Sequence, residues 1–152
     1  MNTVATNVDG FVRLVDCAFS YFLGKGGGHL CIISSIAGTK GLGATSAYSA
    51  SKALQNTYLD ALEQLSVMQK CPITFTDAGP GFVDTDLLAD GKSFPFKMNV
   101  TDVASSIVKG IETKKSVLVI DWKYKLLVFW NWDVGAEFRI SIKKPGLQGL
   151  RP

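Results

Sequence analysis

Residues 30–33 read L-C-I-I, four apolar side chains in a row, bounded by G-K-G-G-G at 24–28 and by Ser34-Ser35. A continuous apolar run this short predicts a strand covered on both faces, because a strand with one wet face alternates apolar and polar residues. Two further runs follow. I-T-F-T at 73–76 is introduced by Pro72 and leads into A-G-P-G, and S-V-L-V-I occupies 116–120. The segments between them carry helical spacing. Val8, Phe11, Val12, Val15, Phe19 and Phe22 lie on one face of a helix over 8–23, and the glycines at 24–28 stop it. A second helix is predicted from about Ala47 to Met68, and a third, capped by Thr101, carries Val103, Ile107, Val108 and Ile111. Strands alternating with helices imply parallel pairing through right-handed crossovers. The expected fold is α/β: a partial Rossmann-like, doubly wound parallel sheet of about three strands with flanking helices. Residues 1–120 form that unit, and 121–152 form a C-terminal extension. A first strand with no earlier strand beside it leaves a bare edge. Further strands are therefore expected before residue 1, with this chain as the C-terminal part of a larger domain.

The 152 residues suffice for one domain with a real core, and 47% hydrophobic with 19% charged residues is the balance of a soluble globular protein. A net charge of +3 without a dense Lys/Arg cluster predicts no nucleic-acid partner. The N-terminus lacks the basic start and apolar middle of a signal peptide, and L-L-V-F-W-N-W at 126–132 is too short to span a bilayer. Cys17, Cys31 and Cys71 are widely spaced in apolar company, which predicts reduced core thiols and a cytoplasmic protein. His29 is the only histidine, so a site that needs two is excluded.

Neither glycine-rich stretch is a phosphate cradle. G-K-G-G-G follows a helix and precedes a strand, the reverse of what a cradle needs, and G-T-K-G-L-G at 38–43 has the wrong spacing. The latter reads as a wide active-site loop. In A-Y-S-A-S-K-A, residues 47–53, Tyr48 and Lys52 are four apart and share one helix face. An ammonium beside a phenol favours the phenolate, so such a tyrosine can exchange a proton with a substrate oxygen near neutral pH. The small neighbours leave room for a flat ligand or a second helix. Ser34 and Ser35 end the 30–33 strand, at the sheet edge where α/β proteins place ligands.

S-S-I-A-G, then Y-S-A-S-K with Tyr48 thirteen residues after Ser35, then P-G-F-V-D-T at 80–85, together with N-V-D-G at 7–10, resembles the short-chain dehydrogenase/reductase family. The resemblance runs over residues 1–120 and implies a nicotinamide-dependent oxidoreductase using NAD or NADP. It would move a hydride between the nicotinamide and a carbonyl or alcohol carbon of a small-molecule substrate. It makes Tyr48 the general acid/base. Lys52 would ease loss of the Tyr48 proton and bind the nicotinamide ribose, and Ser35 would polarise the carbonyl. Asn7 would hold a water that relays protons from Lys52 to solvent, with helix capping as its bland alternative. Pro80 and Gly81 would shape the turn beneath the nicotinamide, and Val83 and Thr85 would bind its carboxamide. The helices over 8–23 and 47–68 would pack between subunits of a homo-oligomer.

The family's T-G-x-x-x-G-x-G fingerprint and N-A-G segment do not occur here, and both are expected upstream of residue 1. The NAD/NADP preference is unreadable for the same reason. A truncated relative, kept as an association module without catalysis, is the alternative. Ser34 reads as structural, and Asp84 and Asp86 read as solvated loop charges. Asp77 carries no role. The tail from Asp121 mixes Trp with Lys and Arg, which fits a peripheral membrane contact, a lid or a subunit interface as well as ordinary packing. F-P-F-K-M at 94–98 falls where the family keeps a substrate loop, and its aromatics fit an apolar substrate.

Overall fold

The computed structural model describes residues 3–86 and 96–126. A π-helical turn, Ala5–Gly10, leads into α1 (Phe11–Lys25). There follow β1 (Gly28–Ile33), α2 (Ser46–Met68), β2 (Ile73–Gly79), α3 (Val100–Glu112) and β3 (Val117–Val119). The strands form one parallel sheet in the order β1-β2-β3. Leu30 lies opposite Phe75 and Ile33 opposite Ala78, and Gly79 lies opposite Val119. The α/β parallel sheet read from the sequence is therefore the observed architecture. β2 runs three residues past the predicted Thr76 end, which brings Asp77 into the sheet.

Partners in register point to the same face. Leu30, Ile32, Ile73 and Phe75 meet Val15 and Phe19 of α1 and Leu59 and Leu62 of α2. The Phe19 and Phe75 rings lie 6.3 Å apart, and Phe75 is 3% exposed. Tyr58 of α2 donates to the Asp16 carboxylate of α1. Desolvation and that carboxylate lift the Tyr58 pKa to about 12. On the opposite face a smaller core joins Val103 of α3 to Met98, Ile120 and Tyr124.

Both-face burial of the 30–33 strand is not what forms. Leu30 and Ile32 are each 6% exposed, yet Ile33 is 61% exposed and Cys31 is half-buried. The reason is that α1 and α2 share one face of the sheet, while the core containing α3 lies beside β2 and β3. Cys17 also corrects the reading of three core thiols: it is exposed, half a helical turn away from the buried Val15 and Phe19. Asn99, not Thr101, caps α3, its side chain accepting from the Thr101 N–H at 2.8 Å. Gly26 ends α1 in the left-handed region at φ 79°, where a Cβ is penalised, so the predicted glycine stop is real.

Candidate active site

The carboxyl end of β1 carries Ser34 and Ser35, and both are buried. Ser35 caps a short 3₁₀ turn, Ile36–Gly38: its Oγ accepts from Ala37 N at 3.1 Å and lies 3.4 Å from the Pro80 carbonyl, to which it donates. Ile36 N donates to the same carbonyl at 3.2 Å. The serine loop after β1 is thus tied to the P-G turn after β2, uniting two of the motifs read from the sequence. Gly38 lets this turn press against α2, since a Cβ there would stand 2.9 Å from the Lys52 backbone.

Lys52 projects from α2 towards the end of β1. Its Nζ donates to the Ile33 carbonyl at 3.2 Å and to Gln55 Oε1 at 3.0 Å, and it lies 5.8 Å from the Tyr48 ring centroid. Burial pushes the Lys52 ammonium below its ordinary range, and the Asp77 carboxylate pulls it partly back. Asp77 is itself raised by burial. The Ser34 hydroxyl, which donates to Asp77 Oδ1, opposes that rise, Asp60 adds to it and Lys52 opposes it. Ser34 therefore serves the sheet edge, in keeping with a structural role. Asp77, to which the sequence assigned nothing, is the half-buried counter-charge of Lys52.

Asn7 sits in the π-helical turn, a winding that often marks functional sites. Its Nδ2 donates to Ser51 Oγ at 3.1 Å, and Ser51 Oγ donates to the Tyr48 carbonyl at 2.7 Å. Its own carbonyl accepts from Gln55 Nε2 at 2.8 Å. Asn7 is therefore joined to the Tyr48/Lys52 segment from more than forty residues away, and the helix-capping alternative is set aside. Gln55 carries no signal in the sequence, because an amide in mid-helix looks like a surface residue.

The P-G-F-V-D-T stretch packs from below. A Cβ on Gly81 would collide with the Tyr124 ring at 2.2 Å, and Tyr124 Oη accepts from Phe82 N at 3.1 Å and donates to the Phe96 carbonyl at 3.1 Å. Val83 bridges to Met98, and Thr85 Oγ1 reaches back to the Val83 carbonyl at 3.4 Å. Asp84 pairs with Lys97 at 2.7 Å near the surface, in keeping with a solvated loop charge. Tyr124 is 2% exposed, so the start of the C-terminal extension is core, while Trp122 is 65% exposed. The aromatics of 127–132, the basic residues beyond them and residues 87–95 lie outside the described residues.

The small residues of α2 border an open cleft of about 460 Å³ under the 38–43 loop, lined by Ser46, Ser49, Ala50 and Ala53. Ser49 Oγ pins that loop by accepting from Leu42 N at 3.1 Å. No described helix is long and apolar enough to cross a membrane, and no described cluster of His, Cys, Asp or Glu has the makings of a metal site.

A family profile described as short chain dehydrogenase matches residues 1–94. An uncharacterized oxidoreductase of Myxococcus xanthus is 31% identical over 121 residues, 79% of this chain and 47% of that protein. The chain spans about half the length of the curated relatives it matches. A short-chain dehydrogenase from Sphingobium yanoikuyae, solved in complex with NADPH, has a TM-score of 0.71 at 19% identity, covering 98% of this chain and 57% of that one. One from Burkholderia cenocepacia, in complex with NADP, has a TM-score of 0.74 at 17% identity, covering 91% and 56%. The solved structures share the parallel sheet with its flanking helices, and the profile spans more than half of the residues: the chain belongs to the short chain dehydrogenase family of oxidoreductases.

Proposed function

We propose that these residues form the proton-transfer side of an NAD(P)-dependent oxidoreductase acting on a small, apolar carbonyl compound or alcohol. The observation that carries this reading is the linked set Asn7–Gln55–Lys52 beside Tyr48, at the carboxyl edge of a parallel sheet. In this reading Tyr48 gives its proton to the substrate oxygen in reduction and takes it back in oxidation. Lys52 uses two of its three N–H donors on Ile33 and Gln55, leaving the third for a ribose hydroxyl. Ser35, fixed through Ala37 and Pro80, orients the substrate oxygen. Pro80, Gly81, Val83 and Thr85 form the turn that holds the carboxamide end. NAD or NADP, when bound, supplies the hydride chemistry.

The fit is to the nicotinamide end of the cofactor. None of the described loops runs from a strand through a tight glycine turn into a helix N-terminus, the arrangement that holds a pyrophosphate. The adenosine side therefore needs residues other than those described. Association through α1 and α2 fits their exposed Leu14 and Leu54. It accompanies catalysis in this reading and does not replace it, because association alone needs no part-buried Lys52–Gln55–Asn7 link.

The test has two parts. The 152-residue chain, titrated with NADPH and NADH, is expected to bind weakly, and tight binding would refute the division of the cofactor site. In the active protein, Tyr48→Phe is expected to lower reduction of apolar ketones about 10²–10⁴-fold with cofactor affinity retained. Wild-type rates in that variant would overturn the role of Tyr48.

A further inference from the structure

Gln55 lies nearly a full turn beyond Lys52 on α2 and is 4% exposed, among the most buried polar side chains described. A buried amide is stable only when both of its ends are satisfied. Here Oε1 accepts from Lys52 Nζ at 3.0 Å and Nε2 donates to the Asn7 carbonyl at 2.8 Å. The acceptor belongs to the π-helical turn Ala5–Gly10, and the donor is an ammonium at the end of β1. One side chain therefore spans the position, between lysine and Asn7, that the family resemblance assigns to a water.

We propose that Gln55 is a positioning residue that clamps Lys52 to the Asn7 carbonyl, a fixed amide link in place of a water relay. A water at this position can take a proton on one side and release one on the other. An amide accepts through oxygen and donates through nitrogen, and relaying a proton from one to the other would leave it as the unfavourable imidic-acid tautomer, so it orients without conducting. The link fixes which way the remaining Lys52 donor points. Among the described residues, few charged groups act on Lys52. Asp77 approaches from β2, with Asp60 acting on Asp77, and the Tyr48 phenol lies on α2 itself. A neutral amide adds no charge to this set, which leaves Asp77 as the counter-ion.

The catalytic consequence rests on the oxidoreductase reading, but the clamp is measurable without turnover. In protein labelled with ¹³C at lysine Cε, the Lys52 signal is titrated in wild type, Gln55→Met and Gln55→Glu. Gln55→Met removes the acceptor at similar volume and is expected to move the Lys52 midpoint to lower pH. Gln55→Glu places a carboxylate at the same position and is expected to move it higher. Midpoints unchanged in both folded variants would overturn the clamp. Wild type supplies a second measurement, free of any folding defect: the Gln55 side-chain N–H pair is expected to exchange with solvent far more slowly than that of an exposed glutamine. Free exchange would equally overturn the clamp. In the active protein, Gln55→Met is expected to lower kcat on the order of tenfold, the loss of one hydrogen bond to a charged group, with KM for the carbonyl substrate held. An inactive wild type would count against the oxidoreductase reading alone, and the two NMR readouts would still decide whether Gln55 clamps Lys52.

Discussion

A carboxylate inside a parallel strand is an expensive placement, and Asp77 is tolerated because Ser34 donates to it and Lys52 lies within electrostatic reach. Burial nevertheless keeps its pKa above the usual 3.8. The folded chain therefore holds this proton at pH values where the unfolded chain has released it, so this contribution to stability falls as pH rises from about 3.8 through the raised value. Lys52 works in a separate window. Its lowered pKa means that the unfolded chain binds the extra proton, and stability rises with pH between the lowered value and 10.5. Denaturant midpoints measured across pH should show the acid-side slope in wild type and lose it in Asp77→Asn. The same variant should carry the Lys52 titration further down, having lost its counter-charge. Gly38 is equally specific. In Gly38→Ala the new methyl meets Lys52 backbone atoms at 2.9 Å, and backbone yields less readily than a side-chain tip. A loss of about 1–3 kcal/mol in urea unfolding is expected, together with a changed Lys52 signal, because the turn and α2 have to part.

Among the elements, α2 and α3 end in an unusual manner. Each places a lysine in the left-handed region just past its cap, Lys70 at φ 54° and Lys114 at φ 51°. The following amides close the turn, Cys71 N to the Ser66 carbonyl and Lys115 N to the Gly110 carbonyl, each at 3.0 Å. Glycine is the usual occupant of this position, and a Cβ there costs roughly 1–2 kcal/mol. Lys70→Gly and Lys114→Gly should each stabilise the chain by about 0.5–1 kcal/mol, after the greater unfolded-state freedom of glycine is set against the relieved strain; thermal melts of the two variants measure it. These ends also show where sequence reading stops. Periodicity locates the long helices, since Val15 with Phe19 declare their face locally, and short continuous apolar runs locate the strands. Tyr48, Lys52 and Ser35 stand out as candidates in the sequence because their spacing is local to one loop and one helix. Gln55 is not, because its burial depends on Asn7 arriving from a distant turn. Nor is the half-open face of β1, because continuous apolar residues look alike whether or not a helix covers them. The cap of α3 falls to Asn99, with the better-placed oxygen, two residues before the Thr101 that the sequence suggests.

For the molecule as a whole, the exposed Ile33, the half-buried Cys31 and His29, and a β1 edge unpaired among the described residues make one side of the sheet adhesive. Sedimentation of the 152-residue chain should show concentration-dependent association, which Ile33→Glu should weaken; a monomer at all concentrations would contradict this. The opposite end of the sheet is finished by a residue far along the chain. Tyr124 fills the space beside Gly81 and joins Phe82 to Phe96, so the turn proposed to underlie the nicotinamide has no floor until the C-terminal extension arrives. On the ribosome this imposes an order of events. β1, β2 and the Lys52 cluster can assemble while synthesis continues, but the P-G-F-V turn stays open until Tyr124 has cleared the exit tunnel. A nascent chain arrested before that point would have Asn7, Gln55 and Lys52 linked but no floor beneath the turn proposed to hold the cofactor.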